Sequence, residues 1–436
     1  MARCLLIWEL GGGLGHIVPL ARVARALLDR GHEVHVALRE RSLATRLPDG
    51  ISVWQSPHAH GAREDHLATY ADLLAASGFA SVASLEENLR KWDQLFQSIR
   101  PDLILFEHAP TAMLAAVGTG IPSVAYGNGF YLPVPGGPLP ILRNWLLTEA
   151  HAAKKRERQV LDVVNEVLHR RGRTFLLELS DLYGTADLTL LATYPELSHF
   201  GERSEANYCG IPPDVEPTEA VAWPTAEGPR LLLYLRPCPE TEQVIAAVQR
   251  LGWPALVVGG PASMPNRAGN IQFLGRLPSL QPVAATCSLA ICHAGHGTTA
   301  EVLLAGKPLL FIPQHCEQML LTIRCVQQSL AACYIPGGKE TCEDAIARAA
   351  ATTELQRGAE AFAGRHAPHR KFAFERVITE ITLRARRGVG GTLSSAGAAS
   401  NNRVSLSEGN SCTDRLDDEF GTNRFGSDVS ARPGGH

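Results

Sequence analysis

Short apolar runs alternate along the chain with segments whose apolar positions recur at three- and four-residue spacing, and both halves show the pattern. Residues 3–10 form the first run. The glycine cluster Gly11-Gly12-Gly13-Leu14-Gly15 follows, then Leu20, Val23, Ala24, Leu27 and Leu28 at helical spacing, and a second run at residues 33–38. Strand, helix and strand in this order predict a parallel sheet. Further strands are expected at residues 51–55, 100–107, 121–126 and 188–192, with a helix at 82–96. A charged helix is expected at 149–173, its buried stripe formed by Val160, Leu161, Val164, Val167 and Leu168.

Residues 212–229 are rich in proline and acidic side chains and poor in apolar ones, which marks a domain boundary. The alternation then resumes. Strands are expected at 230–235, 255–258, 271–273, 288–292, 309–312 and 331–335, with helices at 242–251, from Thr298 to Gly306, and at 320–329, 343–352 and 372–384. The fold class is α/β. The expected division is a first domain at 1–213, a linker at 214–229, a second domain at 230–365, a terminal helix at 366–386 and a disordered tail at 387–436. Glycine, serine, asparagine and charge dominate that tail, and large apolar residues are few.

Two stretches carry candidate chemistry. The first is His293-Ala-Gly-His-Gly297, which follows an apolar run and opens into Thr298-Thr299-Ala300-Glu301. Strand, glycine turn and helix N-terminus make an anion site, because the first N–H groups lack partners and the helix dipole favours negative charge. A diphosphate is the natural guest, with Glu301 one turn on as an acceptor for ribose hydroxyls. The second is the loop after the first strand. Gly11 and Gly13 have dinucleotide-fingerprint spacing, but the third glycine position holds His16, which argues against that motif. On the residues alone His16 reads as a helix-end histidine bonded to backbone, and Glu107, which ends the strand at 100–107, as a solvated acid.

The stretch from residue 293 to 318 resembles the donor-sugar signature of the UDP-glycosyltransferase superfamily. His293, Gly295, Thr298, Glu301, Gly306, Pro308, Pro313, Glu317 and Gln318 stand at the family's spacing, and Gly15, His16 and Pro19 match its catalytic Gly-His. The resemblance covers roughly residues 3–385. It implies the GT-B fold, two Rossmann-like domains facing across a cleft, and inverting transfer of a hexose from a UDP- or dTDP-sugar to a hydroxyl of a small lipophilic or aromatic acceptor. On that basis His16 and Glu107 are the catalytic pair. The donor residues are Gly15, Arg236, Leu277, His293, Gly295, Gly297, Thr298, Thr299, Glu301, Glu317 and Gln318. Tyr126, Asn128 and Phe130 line the acceptor side. Arg236-Pro237-Cys238-Pro239 departs from the family's Gly-Ser turn, and Pro237 and Pro239 remove N–H donors there. The departure keeps open a catalytically inactive auxiliary protein. A nucleotide-sugar epimerase of the same fold is the other alternative.

Composition narrows the picture slightly. The 436 residues carry a net charge of −3, so no electrostatic attraction to nucleic acid is implied. The 10 cysteines form no Cys-x-x-Cys pair, and a reduced, cytoplasmic setting fits them. His58-x-His60 lacks further ligands at metal spacing, there is no Asp-x-Asp motif, and neither metal nor cofactor is expected beyond the nucleotide-sugar co-substrate. No run of about 18 apolar residues suggests a membrane span. Peripheral membrane contact stays open.

Overall fold

The fold is taken from a computed structural model, which describes residues 1–58, 67–143, 150–213, 221–259, 267–275 and 279–390. The first half contributes β1 (Arg3–Trp8), β2 (Glu33–Leu38), β3 (Ser52–Gln55), β4 (Leu103–Glu107), β5 (Ser123–Gly127) and β6 (Leu188–Leu191). They form a parallel sheet in the order β3-β2-β1-β4-β5-β6. Its helices are α1 (Leu14–Leu28), α2 (Tyr70–Leu74), α3 (Val82–Ile99), α4 (Pro110–Ala116) and α5 (Ala150–Arg170).

The second half contributes β7 (Leu231–Tyr234), β8 (Ala255–Val258), β9 (Arg267–Ala268), β10 (Ile271–Leu274), β11 (Leu289–Cys292), β12 (Leu309–Phe311) and β13 (Ala331–Cys333). Their order is β13-β12-β11-β7-β8-β10-β9, parallel except for the short edge strand β9. The helices are α6 (Pro239–Leu251), α7 (Gln281–Ala284), α8 (His296–Leu304), α9 (Cys316–Gln327), α10 (Cys342–Ala351), α11 (Thr353–His366) and α12 (Arg370–Gly390). Two Rossmann-like domains result.

Both sheets are covered on both faces, which is why their strands read as continuous apolar runs. α12 belongs to the second half in sequence but packs on the first sheet. Phe374, Val377, Ile378 and Ile381 share a core with Leu6, Ile17, Leu20 and Leu27. Ile378 and Ile381 are fully buried, each contributing about 1.5–3 kcal/mol. This helix runs to Gly390, past the point at residue 387 where the sequence suggested a disordered tail; residues 391–436 lie outside those described.

The cores also interlock across the seam. Leu320 of α9 joins the core of the first domain, while Tyr194, Leu197 and Ile211 join that of the second. Four helices escaped the sequence reading, the short α2 and α7 and the longer α4 and α11. α4 is buried on every side and shows no stripe, and α11 buries only Leu355, Ala359 and Phe362 and is interrupted by Gly358 and Gly364. α9 starts at Cys316 rather than 320, which puts Glu317 and Gln318 in a helical first turn.

Candidate active site

In each sheet the strand order reverses at one place, and loops leaving the carboxyl ends of the two strands there diverge to leave a crevice. In the first sheet the reversal falls between β1 and β4, with Trp8 opposite Glu107. In the second it falls between β7 and β11, with Tyr234 opposite Cys292. Gly15 and His16 follow β1, Glu107 ends β4, Arg236 follows β7 and the residues from His293 to Glu301 follow β11, whereas Tyr126, Asn128 and Phe130 go with β5, and Glu317 and Gln318 follow β12.

His16 lies in the first turn of α1. Its Nδ1 is 2.8 Å from Glu107 Oε1 and 3.0 Å from Oε2, and both side chains are buried. A carboxylate on Nδ1 fixes the tautomer with the proton there and leaves Nε2 as the basic nitrogen. Burial lowers the affinity of His16 for a proton, but the charge and hydrogen bond of Glu107 outweigh it, so its pKa stands above the ordinary value. The extra methylene of Glu107 does not prevent the contact. The imidazole is sandwiched between Trp8, with centroids 5.0 Å apart, and Tyr131, at 4.7 Å. Tyr131 brings its hydroxyl to 3.5 Å from Nε2. Gly11 closes over the same nitrogen: a Cβ there would stand 2.2 Å from Nε2, and its φ of +79° is one that glycine adopts freely. Gly11 therefore serves close approach to the imidazole.

Beside the dyad, Glu9 is fully buried. Its Oε2 accepts hydrogen bonds from the N–H groups of Thr111 and Ala112, tying β1 to the start of α4. Burial outweighs these bonds and pushes its pKa up to about 8. The sequence reading saw Glu9 only as an interruption of an apolar run. It also passed over Tyr131 and His108, although His108 follows Glu107 directly, adopts a φ of +42° and stacks on Tyr131 at 4.5 Å.

In the second domain Gly295 caps α8, and the N–H groups of His296, Gly297 and Thr298 have no carbonyl within the helix to meet. A side chain at Gly295 or Gly297 would meet open space. His293 is held by Nδ1 at 3.0 Å from the carbonyl of Ile312, with Nε2 3.4 Å from the carbonyl of Arg236. That carbonyl also accepts the Thr241 hydroxyl at 2.6 Å, so the proline-rich turn is fastened to α6, where Pro239 sits at a first helical position that needs no N–H. The Arg236 side chain is exposed beside it.

Several expectations require correction. Thr299 is fully buried and its N–H donates to the Gly295 carbonyl at 2.9 Å, so neither its surface nor its N–H serves a phosphate. Tyr126 is 1% exposed and points from β5 into the core shared with α1 and α12, the opposite face from neighbouring Ala125, so it lines no acceptor pocket. Asn128 is buried and accepts at Oδ1 from the N–H groups of Phe130 and Tyr131, so it shapes that turn. Phe130 packs among Tyr70, Tyr131, His199 and Phe200.

Glu301 is already engaged. Arg370 of α12 donates to both of its oxygens, at 2.9 and 2.5 Å, and also to the carbonyls of Ile211 and Pro212. Arg22 of α1 shares the Pro212 carbonyl and stands 3.9 Å from Glu301. Gln318 accepts at Oε1 from the Gln314 N–H. Glu317 faces His199 of the first domain at 3.8 Å. Gly15 is exposed in the first turn of α1. Leu277 lies outside the described residues, as do His60 and part of the expected linker. No group of three or more His, Cys, Asp or Glu suited to a metal is found among the described residues, and none of their helices is long and apolar enough to cross a membrane.

Residues 262–357 match the family model for the glycosyltransferase family 28 C-terminal domain, which takes in the β11–α8 turn and the start of α9. A PGL/p-HBAD biosynthesis glycosyltransferase of Mycobacterium tuberculosis (strain ATCC 25177 / H37Ra) is 24% identical over 347 residues, 73% of this chain and 77% of that protein. The calicheamicin glycosyltransferase CalG4 is similar in structure with a TM-score of 0.64 at 18% identity, over 88% of this chain and 98% of its own. The Streptomyces sp. SF2575 glycosyltransferase SsfS6, complexed with thymidine diphosphate, has a TM-score of 0.59 at 19% identity, over 87% and 100%. Motif, strand order and these likenesses agree, and the chain is a glycosyltransferase of GT-B fold.

Proposed function

We propose that this glycosyltransferase moves a hexose from a UDP- or dTDP-sugar to a hydroxyl of a small lipophilic or aromatic acceptor, with inversion at the anomeric carbon. The observation that carries the reading is the buried His16–Glu107 pair at the switch point of the first sheet. An acceptor hydroxyl is a poor nucleophile until a base takes its proton. On this reading His16 Nε2 receives the proton as the acceptor oxygen bonds to the anomeric carbon. The bond from that carbon to the phosphate oxygen breaks, and the nucleoside diphosphate leaves with the electron pair. Glu107 balances the charge that develops on the imidazole. The N–H groups at the start of α8 and His293 receive the charge of the leaving diphosphate, the largest catalytic contribution expected from such a site. The retained dyad speaks against an inactive relative. Thymidine diphosphate in the SsfS6 structure supports the dTDP alternative, and the glycosyltransferases of calicheamicin and PGL/p-HBAD biosynthesis support a small lipophilic acceptor.

Thermal denaturation with UDP and with dTDP tests the donor half. At 100 times the dissociation constant a nucleotide stabilises by about 2.7 kcal/mol, a shift of roughly several degrees. Gly297→Asp is the informative variant, because a carboxylate suits a helix N-terminus but repels a diphosphate. The expected result is stabilisation of the wild type by at least one nucleotide and none of Gly297→Asp, whose own melting temperature is unchanged or higher. Equal stabilisation of both proteins would place the nucleotide elsewhere.

A further inference from the structure

We infer that the outer face of α12 docks on an anionic membrane surface, with the chain lying on the bilayer rather than crossing it. The inference is independent of the donor and acceptor readings above.

α12 has two faces of opposite character. Phe374, Val377, Ile378, Ile381 and Ala385 are buried in the core of the first domain. On the other side Phe372, Arg376, Thr379, Leu383, Arg386 and Arg387 follow one another at spacings of three and four residues, so a single stripe carries them. All of these are exposed. Phe372 is 74% exposed and Leu383 47%, roughly 16 Å apart along the helix axis. Single exposed apolar residues are common on protein surfaces. What sets this stripe apart is the charge that surrounds them.

Lys371, Arg376, Arg386 and Arg387 project from α12 into solvent, and none of them makes an ion pair among the described residues. The carboxylates that would cancel them are engaged elsewhere. Glu375 is paired with Arg30 of α1 at 2.5 Å, and Glu380 with Arg384 one turn on at 2.6 Å. The stripe is therefore basic on a chain whose net charge is −3. Cations interleaved with a phenylalanine and a leucine on one helix face suit the boundary between lipid headgroups and acyl chains. The guanidinium groups meet lipid phosphates while Phe372 and Leu383 enter the apolar side. Nucleic acid would use the cations and leave both apolar side chains in water. An apolar protein groove would cover the aromatic ring but bury the cations unpaired. No helix among the described residues is long and apolar enough to cross a membrane, which agrees with a contact made from one side.

The test is co-sedimentation of the full chain with vesicles of phosphatidylcholine alone and of equal parts phosphatidylcholine and phosphatidylglycerol. The expected result is binding to the mixed vesicles only, weakening as salt rises. Replacing Arg386 and Arg387 together by glutamine weakens that binding roughly thirtyfold, at about fivefold per cation. Phe372→Ser weakens it severalfold and leaves the salt dependence as it was, because that side chain acts through apolar burial. Arg267→Gln with Lys339→Gln removes as much charge from exposed positions of the second domain and leaves binding as in the wild type. All these side chains are exposed, so each variant is expected to melt with the wild type. Equal binding to both kinds of vesicle, or binding to neither, would overturn the inference. So would binding that survives loss of Arg386 and Arg387, or that falls equally when Arg267 and Lys339 are replaced.

Discussion

The chemistry of the proposed reaction concentrates on one imidazole whose every side is specified. Glu107 holds Nδ1, Trp8 and Tyr131 clamp the ring faces, and Gly11 covers Nε2 at a distance no other residue could allow. The sequence motif pointed to His16 and Glu107, but the clamp was not legible. Tyr131 is one aromatic residue in a Gly/Pro-rich loop, and only the turn made by Asn128 carries its ring over His16. The pairing has a consequence for pH. The pKa of His16 is raised by Glu107, so the neutral, basic form is lost as the pH falls through that raised value. Glu107→Gln removes the charge that raises it and leaves the burial that lowers it. The acidic limb of kcat/KM against pH should then move to lower pH, while the rate above both limbs falls by about 10² to 10⁴. A rate unchanged at every pH would mean that Glu107 does not act through His16.

At the scale of elements, the strand order decides which loops can meet; the periodicity of apolar residues was enough to anticipate parallel strands, but not their order. Nor did it show which side chains the helices then occupy. Glu301 stands in α8 at the position where the family resemblance suggests a ribose contact, yet Arg370 reaches it from the start of α12 across 69 residues of sequence. A salt bridge between distant helices leaves no mark in local pattern, and Arg370 reads simply as one charge in a polar segment. The pair is buried, with side-chain exposures of 7% and 9%. Arg370→Ala is therefore expected to cost about 3–5 kcal/mol in chemical denaturation, because it takes both close hydrogen bonds from a buried carboxylate. It should also loosen α12. A loss below about 1 kcal/mol would show the pair to be screened like a surface bridge.

At the scale of the whole molecule, the two domains are joined by more than the chain between them. Glu196 of the first domain accepts from Arg365 and His366 of α11, and its carbonyl accepts from Gln328 after α9. Burial raises the pKa of Glu196, but these cationic and backbone partners outweigh it and hold the value at about 2. Such ties and the shared cores bring the loops of both switch points to one seam, where His199 meets His296 and Glu317. The seam is the least legible part of the molecule, since its contacts join residues more than 90 positions apart through geometry alone. In the proposed reaction a base on the first domain and a donor site on the second act on a single sugar. Acceptor-dependent release of nucleoside diphosphate from a UDP- or dTDP-hexose, compared between the wild type and His16→Ala, measures that claim most directly. With a panel of phenolic and aliphatic alcohols, His16→Ala is expected to lose at least about 10² in rate and still to bind the nucleotide as the wild type does. Undiminished release by His16→Ala would contradict the claim.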